Sequence, residues 1–291
     1  MAGAQPADVT VTITDLSPKF LAFYSAATQE KASPDRRWEL WKQMYDFAAV
    51  PPTSEGETMA RTLLDQAWPR YPSALAKIRS GAAGMSPKPE ATVHAVAELL
   101  RPDKAASVRL LAYVGGFEGN AFTAAGAGRI TVAIPIEMSP DRRALTMTHE
   151  FTHAVQIAMG SVAGGWERSV GTAALEEGLA MRVTEKLFPG RPAKDIVFEF
   201  TPGWLVQAIS RRREILRGIR PYLQSDKNED VMRFTIGHGP AGLEREAYYA
   251  GWEVVGYWLD QGMSFAEIAR IPEKEMPARV ADAIDALLAA L

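Results

Sequence analysis

Residues 149–153 read His149-Glu150-Phe151-Thr152-His153, two histidines four apart with a glutamate directly after the first. Side chains four apart on a helix lie one turn apart on the same face. Two imidazoles so placed can hold one tetrahedral metal ion through ring nitrogens at about 2.0–2.1 Å. Glu150, one residue further round the helix, projects beside that metal. The combination is suited to metal-assisted amide hydrolysis. Zinc lowers the pKa of a water it binds towards about 7 and polarises the scissile carbonyl. Glu150 then serves as general base for that water and returns the proton to the leaving amine.

A catalytic zinc commonly keeps three protein ligands and one open position, so a third ligand is expected downstream. A glycine three residues past His153 with a histidine three further would supply one, but Gln156 and Met159 stand there. The alternative is a carboxylate on a following helix. Leu175-Glu176-Glu177-Gly178-Leu179-Ala180 offers two, Glu176 and Glu177, about 100° apart around a helix axis, so one of the pair faces the metal. The oxyanion that develops at the carbonyl needs a further donor. Tyr248, Tyr249 and His238 are the candidates, with Tyr249 preferred of the tyrosines and His238 set between Gly237 and Gly239. His94 lies among Val93, Val96 and Leu99 and reads as structural or exposed.

The elements that must position these groups are mostly helices. Ser139-Pro140 opens a helix that runs to about Met159 and stops at Gly160, a start and a stop with physical causes. On it His149, Thr152, His153 and Gln156 share one stripe, while Met147, Phe151, Val155 and Ala158 form an apolar one. A second helix is expected over 172–187, ended by Pro189-Gly190, and others over about 204–223, 244–261 and 277–291. Ser264 with Glu267 has capping-box spacing. Ahead of the metal helix, Ile130, Val132, Ile134 and Ile136 alternate through residues 129–136 as in a strand. Residues 108–114 form a second β-rich run and 9–13 a third. The strand at 129–136 is expected to edge the cleft and pair with extended substrate, with residues 120–123 as a second lining segment. Residues 17–100 read as helical, with starts at Ser17-Pro18, Ser33-Pro34 and Ser54 (paired with Glu57) and a last helix over about 90–100. Residues 1–106 are thus an N-terminal helical portion and 107–291 a catalytic portion, continuous with it.

The pairing of His149–His153 with Glu177-Gly178-Leu179-Ala180 resembles the glutamate zincins, or gluzincins. In these, E-G-[LF]-A on the second helix carries the third metal ligand, and the resemblance implies Glu177. More closely, residues 107–270 resemble a bacterial family of zinc-dependent proteases. The shared features are a glycine-rich strand segment before the helix, H-E-x-x-H, E-G-L-A, and a later tyrosine–glycine helix matched by Tyr248-Tyr249-Ala250-Gly251. The resemblance implies a zincin-like α+β fold, predominantly helical, with a small mixed β-sheet before the metal helix. It also implies Zn2+ as the cofactor and a peptide or protein as the substrate. The G-x-M-E-N segment of the aminopeptidase type is absent, which argues against that exopeptidase activity. Two other functions compete with a peptidase: a zinc-binding sensor or scaffold without turnover, and a zinc hydrolase of a non-peptide amide. Glu150 favours turnover, because metal binding alone does not need it.

Composition removes other classes. With 32 basic against 35 acidic residues there is no basic footprint for nucleic acid. Arg211-Arg212-Arg213, with Arg217 and Arg220, reads as a solvated helix face. The absence of cysteine excludes disulfides, thiolate metal sites and a cysteine nucleophile. No apolar run approaches the roughly 18–20 residues of a membrane span. Residues 1–8 lack the basic and apolar regions of an export signal. The chain therefore reads as cytoplasmic, or as periplasmic or secreted if Ala2-Gly3-Ala4 is the remnant of a trimmed signal.

Overall fold

Four strands, β1 (Val9–Asp15), β2 (Ala106–Tyr113), β3 (Phe122–Gly126) and β4 (Arg129–Pro135), make one mixed sheet in the computed structural model, which describes residues 5–165, 167–199 and 201–291. Ala2-Gly3-Ala4 lies outside the described residues. The order is β1-β2-β4-β3, with β1 and β4 parallel to β2 and β3 antiparallel to β4. Period-two alternation sorts the side chains between the faces. Val108, Leu110 and Ala112 with Val132 and Ile134 enter the main core, while Leu111, Tyr113 and Ala133 turn to the other side. The turn from β3 to β4 consists of Ala127 and Gly128 at φ 49° and 71°, the positive values that a tight two-residue hairpin requires.

The fold is thus α+β, mostly helical, with a small mixed sheet. One expectation changes with the topology. β4, the strand at 129–136, is internal, flanked by β2 and β3, so it cannot offer a free edge to a substrate. The edge on that side is β3. The strand was not expected because Phe-Thr-Ala-Ala-Gly has little of the β-branched and aromatic enrichment that marks strands in a sequence.

The helices fall into two groups. α1 (Ser17–Gln29), α2 (Pro34–Met44), α3 (Ser54–Ala67) and α4 (Tyr71–Ser80) pack around an aromatic core of their own that includes Phe20, Trp38, Trp41 and Tyr71. The caps differ in detail from expectation. Ser33 accepts a hydrogen bond from Arg36 N, but α3 is capped by Thr53, one residue before Ser54. Ser17 lies inside α1 and bonds to Asp15. α5 (Pro89–Leu100) departs from this group: Val93, Val96 and Leu100 join the main core, and the helix packs on α6 and β1. A boundary after residue 106 would therefore cut through both the main core and the sheet, since β1 and α5 precede it.

The main core is closed by α6 (Pro140–Met159), α7 (Val170–Leu187) and the C-terminal helices α8 (Ala193–Ile196), α9 (Trp204–Ser210), α10 (Arg212–Ile219), α11 (Asn228–Thr235), α12 (Glu246–Asp260), α13 (Phe265–Ala269) and α14 (Met276–Ala289). The helix expected over 204–223 is broken between α9 and α10 at Arg211. The arginines there are held by acids, Arg211 by Glu214, Arg212 by Glu253 and Arg220 by Asp285. Among the described residues no helix is long and apolar enough to cross a membrane.

Candidate metal centre and cleft

α6 begins where its cap dictates. The Ser139 hydroxyl accepts from Arg142 N, Pro140 occupies the first turn, and Gly160 closes the helix in the left-handed region. Packed across β3 and β4, α6 buries Met147, Phe151, Ala154 and Val155 in the main core. Its other stripe brings His149, Glu150 and His153 into a cleft of about 650 Å³. α7 starts at the Ser169 cap, which accepts from Thr172 N at 3.1 Å, and lies against both α6 and α12.

Of the two adjacent carboxylates on α7, Glu177 meets the histidines. Its Oε2 lies 3.1 Å from His149 Nε2 and 3.7 Å from His153 Nε2, and the two ring nitrogens are 3.1 Å apart. Tetrahedral ligation at about 2.0–2.1 Å puts ligand atoms about 3.3–3.4 Å from one another, so the spacing suits a single small metal ion. The donor types, two imidazoles and a carboxylate, suit one as well. His149, His153 and Glu177 are thus a group that could hold a metal ion. The site is largely desolvated, with side-chain exposures of 6%, 11% and 6%. Burial alone would raise the Glu177 carboxyl, but the charge and hydrogen bonds of His153 and His149 hold it well below the usual carboxylate range. Burial works against charge on His153 as well, and the Glu177 carboxylate more than offsets it, raising the imidazole.

Glu176 points elsewhere, to Arg168, whose Nη1 lies 2.6 Å from Glu176 Oε2 and whose Nη2 lies 3.6 Å from Glu177 Oε1. Arg168 therefore holds Glu176 and lies near Glu177 within the cleft lining. Glu150 is held from the sheet. The β3–β4 register sets Thr123 opposite Val132, on the face that α6 covers. The Thr123 hydroxyl lies 2.8 Å from Glu150 Oε2 and 2.9 Å from the Glu150 carbonyl oxygen, and its single hydrogen serves both.

The oxyanion candidates separate. Tyr248 lines the cleft. Burial and the nearby Glu177 charge push its phenol up to about 12, so it stays protonated at neutral pH. Tyr249, the preferred tyrosine of the sequence reading, is a core residue. It is 1% exposed, packs edge-on to Trp204 and hydrogen-bonds Glu253. His238 is exposed, bridged to Glu244 by backbone pairing and outside the cleft lining. The neighbouring glycine has a structural cause: a Cβ at Gly239 would lie 2.3 Å from the Glu246 carboxyl. His94 is exposed, 3.8 Å from Glu98.

The cleft runs between the two helical groups. Met59 and Leu63 of α3 line one side, Ile236 after α11 the other, and β3 borders the metal group. Sequence reasoning missed Arg168, Arg142, Phe198 and Arg245, all of which line this cleft. Arg168, Phe198 and Arg245 lie outside the helices, where no pattern marks them, whereas Arg142 stands in α6 seven residues before His149, on the cleft-facing stripe with Thr146. Comparison with known proteins adds no relative: no family model matches the chain, and neither a curated protein nor a solved structure is significantly similar to it.

Proposed function

We propose that this protein is a zinc-dependent metallopeptidase of the glutamate-zincin type. The observation that carries the reading is the convergence of His149, His153 and Glu177 at ligand spacing, with Glu150 beside them in the same cleft. His149, His153 and Glu177 would hold the zinc, which when bound would supply Lewis acidity and acidify a water. The chain supplies the rest. Thr123 fixes the Glu150 carboxylate by donating to it, and Glu150 takes the water proton and passes it to the leaving amine. Arg168 keeps Glu177 turned to the histidines. Tyr248, protonated, donates to the carbonyl oxygen as it gains negative charge.

β3 supports a peptide as the substrate. Ala125 N–H already donates outward to Gly164 O at 3.2 Å, so the backbone groups that face away from β4 recur two residues earlier at Thr123, in the cleft. An extended peptide lies along that edge as an added strand, with the apolar wall of α3 opposite. The zinc content of the purified chain is the first test: about one per chain, lost in His153→Ala. With zinc retained, Glu150→Gln slows cleavage of a peptide library by about 10²–10⁴-fold. A chain that takes up no metal when zinc is supplied would falsify the reading.

A further inference from the structure

The edge of β3 is open beside the metal group and stopped at one end. The Thr123 hydroxyl lies 2.8 Å from Glu150 Oε2. The backbone N–H and C=O of Thr123 face away from β4, and among the described residues no hydrogen bond occupies them. Two residues on, the Ala125 N–H that points the same way is taken by Gly164 O at 3.2 Å. The cleft lining agrees: it includes residues 121–124 of this edge, omits Ala125, and takes in Ile157, Gly164 and Gly165 instead.

The segment laid over the edge, residues 161–164, is held at several points. Val162 is buried in the main core. Ala163 N donates to Glu273 Oε2 at 2.8 Å, and Glu273 N donates to Ser161 O at 2.9 Å. Gly164 stands at φ 72°, and a Cβ there would lie 2.6 Å from Ile157 Cδ1 and 3.0 Å from Ala125 Cβ. Backbone conformation and close approach both call for glycine. In the other direction the groove continues. Its lining passes Asn120 and Gly119 to Glu118, and Gly119 and Glu118 also line a second cavity of about 390 Å³.

An extended chain advances about 3.4 Å per residue, so a peptide laid along this edge from Thr123 meets Gly164 after about two residues. We propose that residues 161–164 are a stop that closes the cleft on one side of the metal group, so that the enzyme trims a short fragment, about two residues long, from a peptide end. The proposal rests on the peptidase reading and names its substrate class. β3 runs towards the stop, and antiparallel pairing is the more stable kind, so the peptide end at the stop is its N-terminus. Water adds across the amide: the short fragment leaves with the new carboxylate, and the remainder keeps the new amine.

The test uses the zinc-supplied full chain and a peptide of about ten residues with free ends, with fluorescein on its N-terminus, or with fluorescein on its C-terminus. Mass spectrometry of early products should show fragments of two or three residues from the N-terminus. The N-terminal block should slow cleavage at least about tenfold, because a displaced scissile bond loses rate steeply, and the C-terminal block should leave it nearly unchanged. Short fragments from the C-terminus instead would keep the stop and show that the added strand is parallel. Glu273→Ala and Gly164→Ala loosen the stop, so the N-terminally blocked peptide should be cut faster and longer fragments should appear. Hydrogen exchange reads the stop without turnover: the Ala125 amide should be protected in the parent and lose protection in both variants. Circular dichroism checks folding, and if Gly164→Ala does not fold, Glu273→Ala decides alone. Early cuts by the parent with four or more residues on each side overturn the stop and leave the peptidase reading standing. So does an unprotected Ala125 amide in the parent, or trimming that is unchanged in a variant whose Ala125 amide has lost protection. Bound zinc with no peptide cut sinks the peptidase reading, and the trimming with it.

Discussion

Gly178 and Gly251 meet backbone to backbone: a Cβ on Gly178 would stand 2.2 Å from the Gly251 carbonyl oxygen, and one on Gly251 would stand 1.8 Å from the Ala174 carbonyl oxygen. α7 and α12 can approach this closely only because neither carries a side chain at the crossing. The contact has a chemical consequence. Glu177 directly precedes Gly178, and Tyr248 lies three residues before Gly251, so the crossing brings the proposed third ligand and the cleft tyrosine to the same place. Gly178→Ala is therefore expected to destabilise by about 3 kcal/mol, at the upper end of overpacking costs, and to weaken metal binding as Glu177 shifts. Denaturant unfolding should show a lower midpoint with an unchanged slope. Stability within about 0.5 kcal/mol of the parent would mean that the helices separate freely.

The same crossing explains what could and could not be read from the sequence. His149, Glu150 and His153 were legible because their relation is local: spacing on one helix fixes it, and Ser139, Pro140 and Gly160 fix the helix. The choice between Glu176 and Glu177 was not local, since it depends on how α7 is rotated against α6, and only the resemblance favoured Glu177. The tyrosines were misjudged for the same reason. From Gly251, Tyr248 lies about 60° round the helix and Tyr249 about 160°. Had Gly251 been taken as the mark of the packed face towards α7, Tyr248 would have been chosen. β3 escaped notice because a short alanine- and glycine-containing edge strand has no strong pattern, and its placement comes from the Ala127-Gly128 hairpin. Arg168, between two helices, belongs to no period at all.

Arg168 touches no substrate in this reading, so its effect should appear in metal affinity. It holds Glu176 at 2.6 Å and approaches Glu177 at 3.6 Å. Arg168→Gln removes the charge that compensates two buried carboxylates. The expected outcome is a 10–100-fold loss of zinc affinity, about what loss of an orienting partner costs, measured by competition with a chromophoric chelator. Unchanged affinity with reduced activity would instead make Arg168 a substrate-binding group.

Thr123 offers a narrower test. Its hydroxyl contacts both the Glu150 carboxylate and the Glu150 carbonyl, linking the sheet edge to the proposed general base. Thr123→Val keeps the shape and removes the donor. A hydrogen bond to a charged group is worth about 1.5–3 kcal/mol, so kcat should fall by about tenfold or more, with zinc content intact. Thr123→Ser should retain most of the rate. A valine variant with full kcat would show that Glu150 is oriented by other contacts.

Tyr248 and Tyr249 should part in behaviour as they part in position. Tyr248→Phe deletes a donor in the cleft and is expected to lower kcat by about 10²–10³-fold, the scale of one oxyanion donor. Tyr249→Phe deletes a hydrogen bond to Glu253 in the core, costing about 1 kcal/mol of stability with little change in kcat. Steady-state kinetics and unfolding curves on both variants check the pair, and the reverse pattern would return the role to Tyr249.

Glu137 predicts a pH dependence of stability outside the metal group. It is 5% exposed at the end of β4 and accepts from Gly115 N at 3.1 Å and Phe117 N at 3.3 Å, pinning the loop that leads to β3. Burial is the main cause that raises its carboxyl from 4.5 to about 7, with Glu118 adding to it and the backbone donors opposing it. The folded state therefore keeps a proton that the unfolded chain releases. The corresponding stability is fully present below about 4.5 and is lost as pH rises through about 7. The loss is about 3 kcal/mol in all. Glu137→Gln stays neutral throughout, so the parent should lose stability relative to the variant between pH 5 and pH 8. Urea unfolding of both proteins across that range isolates Glu137, because other titrating groups are common to the pair. A difference that stays constant with pH would show that Glu137 is ionised in the folded protein, with its backbone donors outweighing burial.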